Sequence, residues 1–185
     1  IGGGSELSVT YEATGAGGEN TNNNGLSWSH TSNGGSTCAV VLFAAFEYTT
    51  ASPSIVCTYG TSQMTTELAQ FNYGPTGGSS LFAMIAYAII GPPSGTQTVS
   101  INISGATIKQ LSGNTLSYQN VGQFGNFYNS TGSGTALSVT GIGSSTGQMA
   151  IGGFAGAPYV LTGFNHTSRW AQNNTASIPM VIGDT

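Results

Sequence analysis

The stretch from Leu81 to Ser104 constrains the fold more than any other. Positions 81–90 read Leu-Phe-Ala-Met-Ile-Ala-Tyr-Ala-Ile-Ile, followed by Gly-Pro-Pro-Ser-Gly and then, at 96–104, Thr-Gln-Thr-Val-Ser-Ile-Asn-Ile-Ser. The first segment is apolar on both sides of a two-residue repeat, the pattern of a strand covered on both faces. In the last segment Val99, Ile101 and Ile103 share one face, with Thr98, Ser100 and Asn102 on the other. Two prolines and two glycines in between stop either element and favour a reversal, so an antiparallel hairpin is expected. A ten-residue helix is the rival for Leu81–Ile90, because Leu, Ala and Met favour helix. The strand-like neighbour and the Gly/Pro punctuation decide for strand. The run is too short for a membrane span, which takes about 20 apolar residues.

A second run of the same character, Thr37 to Tyr48, carries Val40, Val41, Leu42, Phe43 and Phe46. Half-buried strands are expected at Glu6–Thr14, Leu26–His30 and Ile55–Tyr59, with another strand at Gln63–Asn72. Ala106–Asn120 reads as a weaker strand pair broken at Ser112-Gly113-Asn114. Further short strands are expected at Thr135–Gly141, Gln148–Phe154, Tyr159–Gly163 and Ile178–Ile182. Gly15–Gly25 and Val121–Gly134 read as loops. No helical period lasts beyond two turns. These segments add up to roughly ten short strands in an all-β, antiparallel β-sandwich, jelly-roll-like. Ile1 to Ser5 reads as the end of a flexible linker, and residues 6–185 as a single domain.

Only 4% of residues are charged, against about 25% in ordinary domains. The cations are Lys109 and Arg169, and the acids are Glu6, Glu12, Glu19, Glu47, Glu67 and Asp184. Nucleic acid is excluded as a partner, because phosphate contacts need clustered Lys and Arg. Polybasic membrane attachment fails on the same ground, and no membrane insertion is expected. A surface of Ser, Thr, Asn and Gly suits either close packing among copies or the presentation of hydroxyls and amides to sugars.

No catalytic signature survives inspection. Gly143-Ser-Ser-Thr-Gly147 matches the spacing of a nucleophile elbow around Ser145. It lacks a following helix, and no acid lies between Ser145 and His166. A phosphate loop needs Gly-Lys, but Lys109 follows Ile108. Asp184 is the only aspartate, which rules out an EF-hand loop. Glu47 and Glu67 sit on separate strands with nothing to pair them as glycosidase carboxylates. The expectation is a protein that is not an enzyme, with no cofactor and no metal. Glu19–Gly25, although rich in oxygen ligands, reads as a solvated connection.

Cys38 and Cys57 are expected to be free, buried thiols. If their strands form a hairpin about Thr49–Ser54, Cys57 falls opposite a residue near Phe46. Cys38 then lies about eight residues away at ~3.3 Å each, beyond disulfide reach. Trp28 and His30 share one strand face and read as core. The polar run Phe164-Asn-His-Thr-Ser-Arg-Trp170 gathers a stacking face and donors. With Tyr159 it makes Tyr159, Asn165, His166, Arg169 and Trp170 the candidate glycan-binding residues. The competing reading has Arg169 bonding local carbonyls while Trp170 caps the sandwich edge.

Four motifs occur in order: Gly25-Leu-Ser-Trp-Ser-His-Thr31, Cys57-Thr-Tyr-Gly-Thr-Ser-Gln-Met-Thr65, Pro93-Ser-Gly-Thr-Gln-Thr-Val-Ser-Ile101 and Val181-Ile-Gly-Asp184. As a set they resemble mycobacteriophage minor tail proteins, and the likeness runs from Val9 to Asp184. Cys57 and Thr61 depart from it, standing where Val and Gly are expected, and the buried strands are richer in Ala. The resemblance implies a structural or host-facing module of the virion, on the tail, its tip or the capsid exterior, without catalytic residues. Its implied partners are other virion proteins, copies of itself and a host cell-surface glycan. A carbohydrate-binding module and a subunit of an extracellular filament are the alternatives.

Overall fold

The computed structural model describes residues 7–49, 52–73, 80–130, 138–139, 145–156, 161–173 and 178–185. Thirteen strands lie among them: β1 (Thr10–Thr14), β2 (Gly18–Thr21), β3 (Gly25–Ser32), β4 (Ala39–Thr49), β5 (Ser54–Tyr59), β6 (Ser62–Gln63), β7 (Thr66–Tyr73), β8 (Leu81–Ile90), β9 (Gly95–Ser104), β10 (Thr107–Gln119), β11 (Ile151–Ala155), β12 (Thr167–Gln172) and β13 (Met180–Asp184). No helix occurs among the described residues. The linker end, Tyr159 and the strand expected at 135–141 (apart from residues 138–139) lie outside them.

All strand pairs are antiparallel. They form three sheets. The central sheet runs β1-β10-β4-β8-β7, with β2 also paired to β10. A front sheet runs β3-β9-β5-β6 and a back sheet β11-β13-β12. Val40, Leu42, Ala44, Phe46, Ala83 and Ile85 meet Trp28, Cys57, Tyr59, Val99, Ile101 and Ile103 of the front sheet in one core. Ala39, Val41, Phe43, Ala45, Ala86 and Ala88, from the opposite face of the same strands, meet Met180, Ile182 and Ile151 of the back sheet in a second. The doubly apolar runs at 39–48 and 81–90 are therefore the two central strands of an all-β sandwich. Each large apolar side chain buried there contributes ~1.5–3 kcal/mol.

Two expected hairpins are corrected. β8 pairs with β4 and β7, whereas β9 pairs with β3 and β5. The Gly91–Ser94 link therefore carries the chain from the central sheet to the front one. β4 and β5 likewise lie in different sheets. The reason is the side-chain pattern itself. A strand apolar on both faces needs a cover on each side, and a strand apolar on one face, such as β5 or β9, is that cover. Gly91 and Gly95 take the positive φ values, 72° and 85°, that the corner requires. Cys57 consequently faces Ile101 in register, not Phe46. Both cysteines are free and buried as expected: the Cys38 thiol reaches Ser32 at the end of β3, whereas Cys57 lies in the row of Ile101 and Leu26 near the start of that strand.

A third correction concerns residues 106–120, which form one strand and not a pair. β4 pairs with β10 along almost its whole length, from Thr107↔Thr49 to Tyr118↔Ala39. Only the other edge of β10 changes partner, from β2 at Gln110–Gly113 to β1 at Leu116–Gln119. The sequence break marks that handover. Residues 18–21, expected as loop, supply β2.

Gly113 sits under the Trp28 indole. An added Cβ would lie 3.1 Å from Trp28 Cη2 and 3.2 Å from the Phe43 carbonyl oxygen. Gly122 has open space around it. Gly113→Val is expected to lower the urea midpoint by an amount equivalent to about 2 kcal/mol, the scale of overpacking. Gly122→Val should stay within about 0.5 kcal/mol. Equal midpoints for the two variants would contradict this packing.

Candidate functional site

The polar run after Phe164 meets the last residues of the chain at a joint between the back and central sheets. β12 pairs with β13 with a register shift between Ser168 and Trp170, leaving Arg169 as the extra residue of a bulge. Bulges re-aim side chains, and here the guanidinium reaches the Asp184 carboxylate. Arg169 Nε donates to Oδ1 and Oδ2 at 3.0 and 2.9 Å, and Nη2 donates to Oδ1 at 2.8 Å. Tyr118, on the central sheet, donates its hydroxyl to Asp184 Oδ2 at 3.0 Å. The guanidinium carbon also lies 3.8 Å from the centroid of the Tyr11 ring, a cation–π contact. Thr14, on β1, bonds the Arg169 carbonyl at 3.4 Å and the Tyr11 hydroxyl at 2.7 Å.

Asp184 is 1% exposed at its side chain and Arg169 27%. A buried carboxylate is tolerated only when paired and hydrogen-bonded, and here both oxygens are. Burial pushes the Tyr118 phenol far above its ordinary range, and the Asp184 charge adds to that. Arg169 bonds a carboxylate from another strand, not the local carbonyls expected as one alternative.

The other members of the polar run diverge. Asn165 is exposed. His166 lies 5.4 Å from Phe164, which makes an edge contact with Phe154 at 5.7 Å. Trp170 is half-buried in the back core, close enough that a Cβ at Gly17 would come within 3.1 Å of its ring. Tyr159 lies outside the described residues. The local sequence pattern does not mark Asp184 as a partner of Arg169. The available signal was scarcity, since a chain with one arginine and one aspartate has few ways to neutralise either.

A second polar cluster lies under the front sheet. Trp28 Nε1 donates to Thr115 Oγ1 at 3.0 Å, and the same hydroxyl bonds His30 Nδ1 at 2.9 Å. His30 is buried, with no partner for Nε2 among the described residues. Burial lowers its pKa to about 4, against the opposing pull of Glu12. Glu12 accepts the Asn33 N–H at 2.6 Å and faces the Cys38 thiol at 3.6 Å. Burial raises both thiols, Cys57 to about 12. Neither cysteine is a ready nucleophile. Ser145 sits in a turn closed by Gln148, whose N–H donates to the Ser145 carbonyl at 2.9 Å. Among the described residues no three His, Cys, Asp or Glu side chains converge to hold a metal.

The exposed face of the front sheet is of a different kind. Its cross-strand rows are Gly25–Asn102–Val56, Ser27–Ser100–Thr58, Ser29–Thr98 and Thr31–Thr96. Thr31 bonds Thr96 at 2.8 Å and Thr58 bonds Ser100 at 2.7 Å. None of these residues is charged. The result is a neutral lattice of small polar groups, ~4.8 Å apart across strands and ~6.8 Å apart along them.

Two outcomes follow from the buried clusters. Arg169→Ala strands the Asp184 carboxylate and is expected to destabilise the protein by about 3 kcal/mol. Adding Asp184→Asn should restore part of that loss, giving a coupling above about 1 kcal/mol in urea titrations. Single variants within about 0.5 kcal/mol of wild type would contradict the joint. His30 is neutral when folded at pH 7, with its folded pKa below the ordinary 6.5. Its contribution is therefore complete above pH 6.5 and is lost as pH falls toward 4, by up to roughly 3 kcal/mol. Denaturation midpoints in His30→Gln should fall less over that window. An identical pH slope in both proteins would contradict the assignment. Compared with known proteins, the chain matches no family model, no curated protein and no solved structure.

Proposed function

We propose that this chain is a non-catalytic structural and adhesion module of a bacteriophage virion, on the tail, its tip or the capsid exterior. The setting comes from the ordered motifs between Val9 and Asp184 that resemble minor tail proteins. The observation that carries the passive role is the placement of charge. Arg169 is spent on Asp184, and Lys109 lies 3.5 Å from Glu47 and bonds Ser80. The front face keeps only hydroxyls, amides and an exposed Val56. Such a face packs against virion neighbours, other copies or a host surface without desolvating an unpaired charge.

The strand orders support the same reading. β1-β10-β4-β8 over β3-β9-β5-β6, with β7 added at one edge, reads as the interleaved pattern of a jelly roll, a shape common in virion shells. Purified particles should contain the chain at a constant copy number, detected by mass spectrometry of gradient fractions and by immunogold labelling of tail or capsid. Recovery only in the soluble lysate, with none in particles, would overturn the proposal.

A further inference from the structure

The front face is not uniformly flat. Next to Gly25 it opens into a shallow depression of about 320 Å³, bordered by Asn23, Leu26, Ser27, Ser100 and Asn102. The depression is wide open to solvent, so a ligand would lie along it and not inside it. The depression exists because Gly25 stands across from Asn102 in the β3–β9 register. With no side chain at Gly25, Asn102 has nothing to pair with on that side. A Cβ there would lie 3.2 Å from Asn102 Oδ1.

The hydrogen-bonding groups around the depression are free in an informative way. Ser100 turns sideways to Thr58, so Ser27 in the same row is left without a partner among the described residues. The Asn102 amide also has none, and Asn23 uses only its oxygen, on the Gly25 N–H at 3.0 Å. The free set is thus one amide offering a donor and an acceptor, one hydroxyl, and one amide NH₂. By contrast, the strand-edge backbone here is already closed. Asn20 bonds the Gly25 carbonyl and Asn23 the Gly25 N–H. An extended peptide adding to β3 would find both groups of Gly25 taken.

We infer that the depression at Gly25 is a binding site for an uncharged saccharide. A primary amide with one donor and one acceptor matches a pair of adjacent sugar hydroxyls, each of which can both give and receive a hydrogen bond. Val56, 41% exposed in the same row as Asn102, offers an apolar contact for C–H groups beside them. An anionic ligand is disfavoured, because both cations of the chain are engaged at Glu47 and Asp184. The site lies on a different sheet from the Phe164–Trp170 run and uses none of its residues. The inference gives the adhesion reading a ligand class, and it is tested on the isolated chain, so its failure leaves the particle assignment to its own experiment.

Amide chemical shifts of the ¹⁵N-labelled full chain should be followed on titration with neutral glucan, mannan, galactan and arabinan oligosaccharides to ~10 mM. A sulfated and a uronate oligosaccharide serve as charged controls. At least one neutral sugar should give saturable shifts at Gly25, Ser27 and Asn102. Gly25→Ala and Asn102→Ala should each weaken it about tenfold, with melting temperatures near wild type, whereas Thr31→Ala should bind normally. No saturable shift with any neutral sugar, binding retained in both recess variants, or binding by the charged sugars alone would overturn the inference. So would a concentration-dependent dimer abolished by Asn102→Ala, which would give the face to a second copy.

Discussion

Strands β4 and β8 have no polar face, and a sheet built on them is stable only if something apolar covers each side. β4 is buried from Ala39 to Phe46 without interruption. Its odd and even residues feed two separate cores. The front sheet, with one apolar face per strand, supplies the first cover, and the back sheet supplies the second. The links that cross between sheets follow from that demand. So does the closeness of the layers at Gly113 and Gly153, where an added Cβ would meet Trp28 in one case and Met84 in the other.

Scarcity of charge shapes the rest. Polar side chains that ordinarily dress a surface serve here as joints between layers. The Arg169–Asp184–Tyr118 group ties β12 and β13 to β10, with Tyr11 stacked above it. The Trp28–Thr115–His30 group ties β3 to β10. What remains outside is a face of small neutral groups whose bonds are short-range and lateral. A surface of that composition has little long-range electrostatic pull. It favours contacts made at close approach, by shape and hydrogen bonding, which fits a module held in an assembly and touching an uncharged partner.

The side-chain period made much of this legible. Apolar residues on both faces mark 37–48 and 81–90 as buried strands. Strict alternation in 96–104 told which side of β9 is buried. Strand pairing was not legible, because a Gly-Pro-Pro-Ser-Gly corner reverses the chain equally well within a sheet or between two. The difference lies in what each strand needs against its faces, a property of the assembled layers. In sequence, 106–120 reads as two pieces, because Gly113 looks like a break when its Trp28 neighbour is unknown. The Arg169–Asp184 pair joins residues 15 apart through a bulge that leaves no mark in the local pattern. The Gly25 depression is a deletion of side-chain volume, visible only once Asn102 is seen across from it.

Native-state hydrogen exchange tests the double cover most directly. If two independent layers shield the central pair, amides of β4 and β8 exchange last of all. Their opening free energy then approaches that of global unfolding, after β1, β2, β7 and β12 have opened. Exchange of β4 amides as fast as those of the edge strands β7 and β12 would contradict the account.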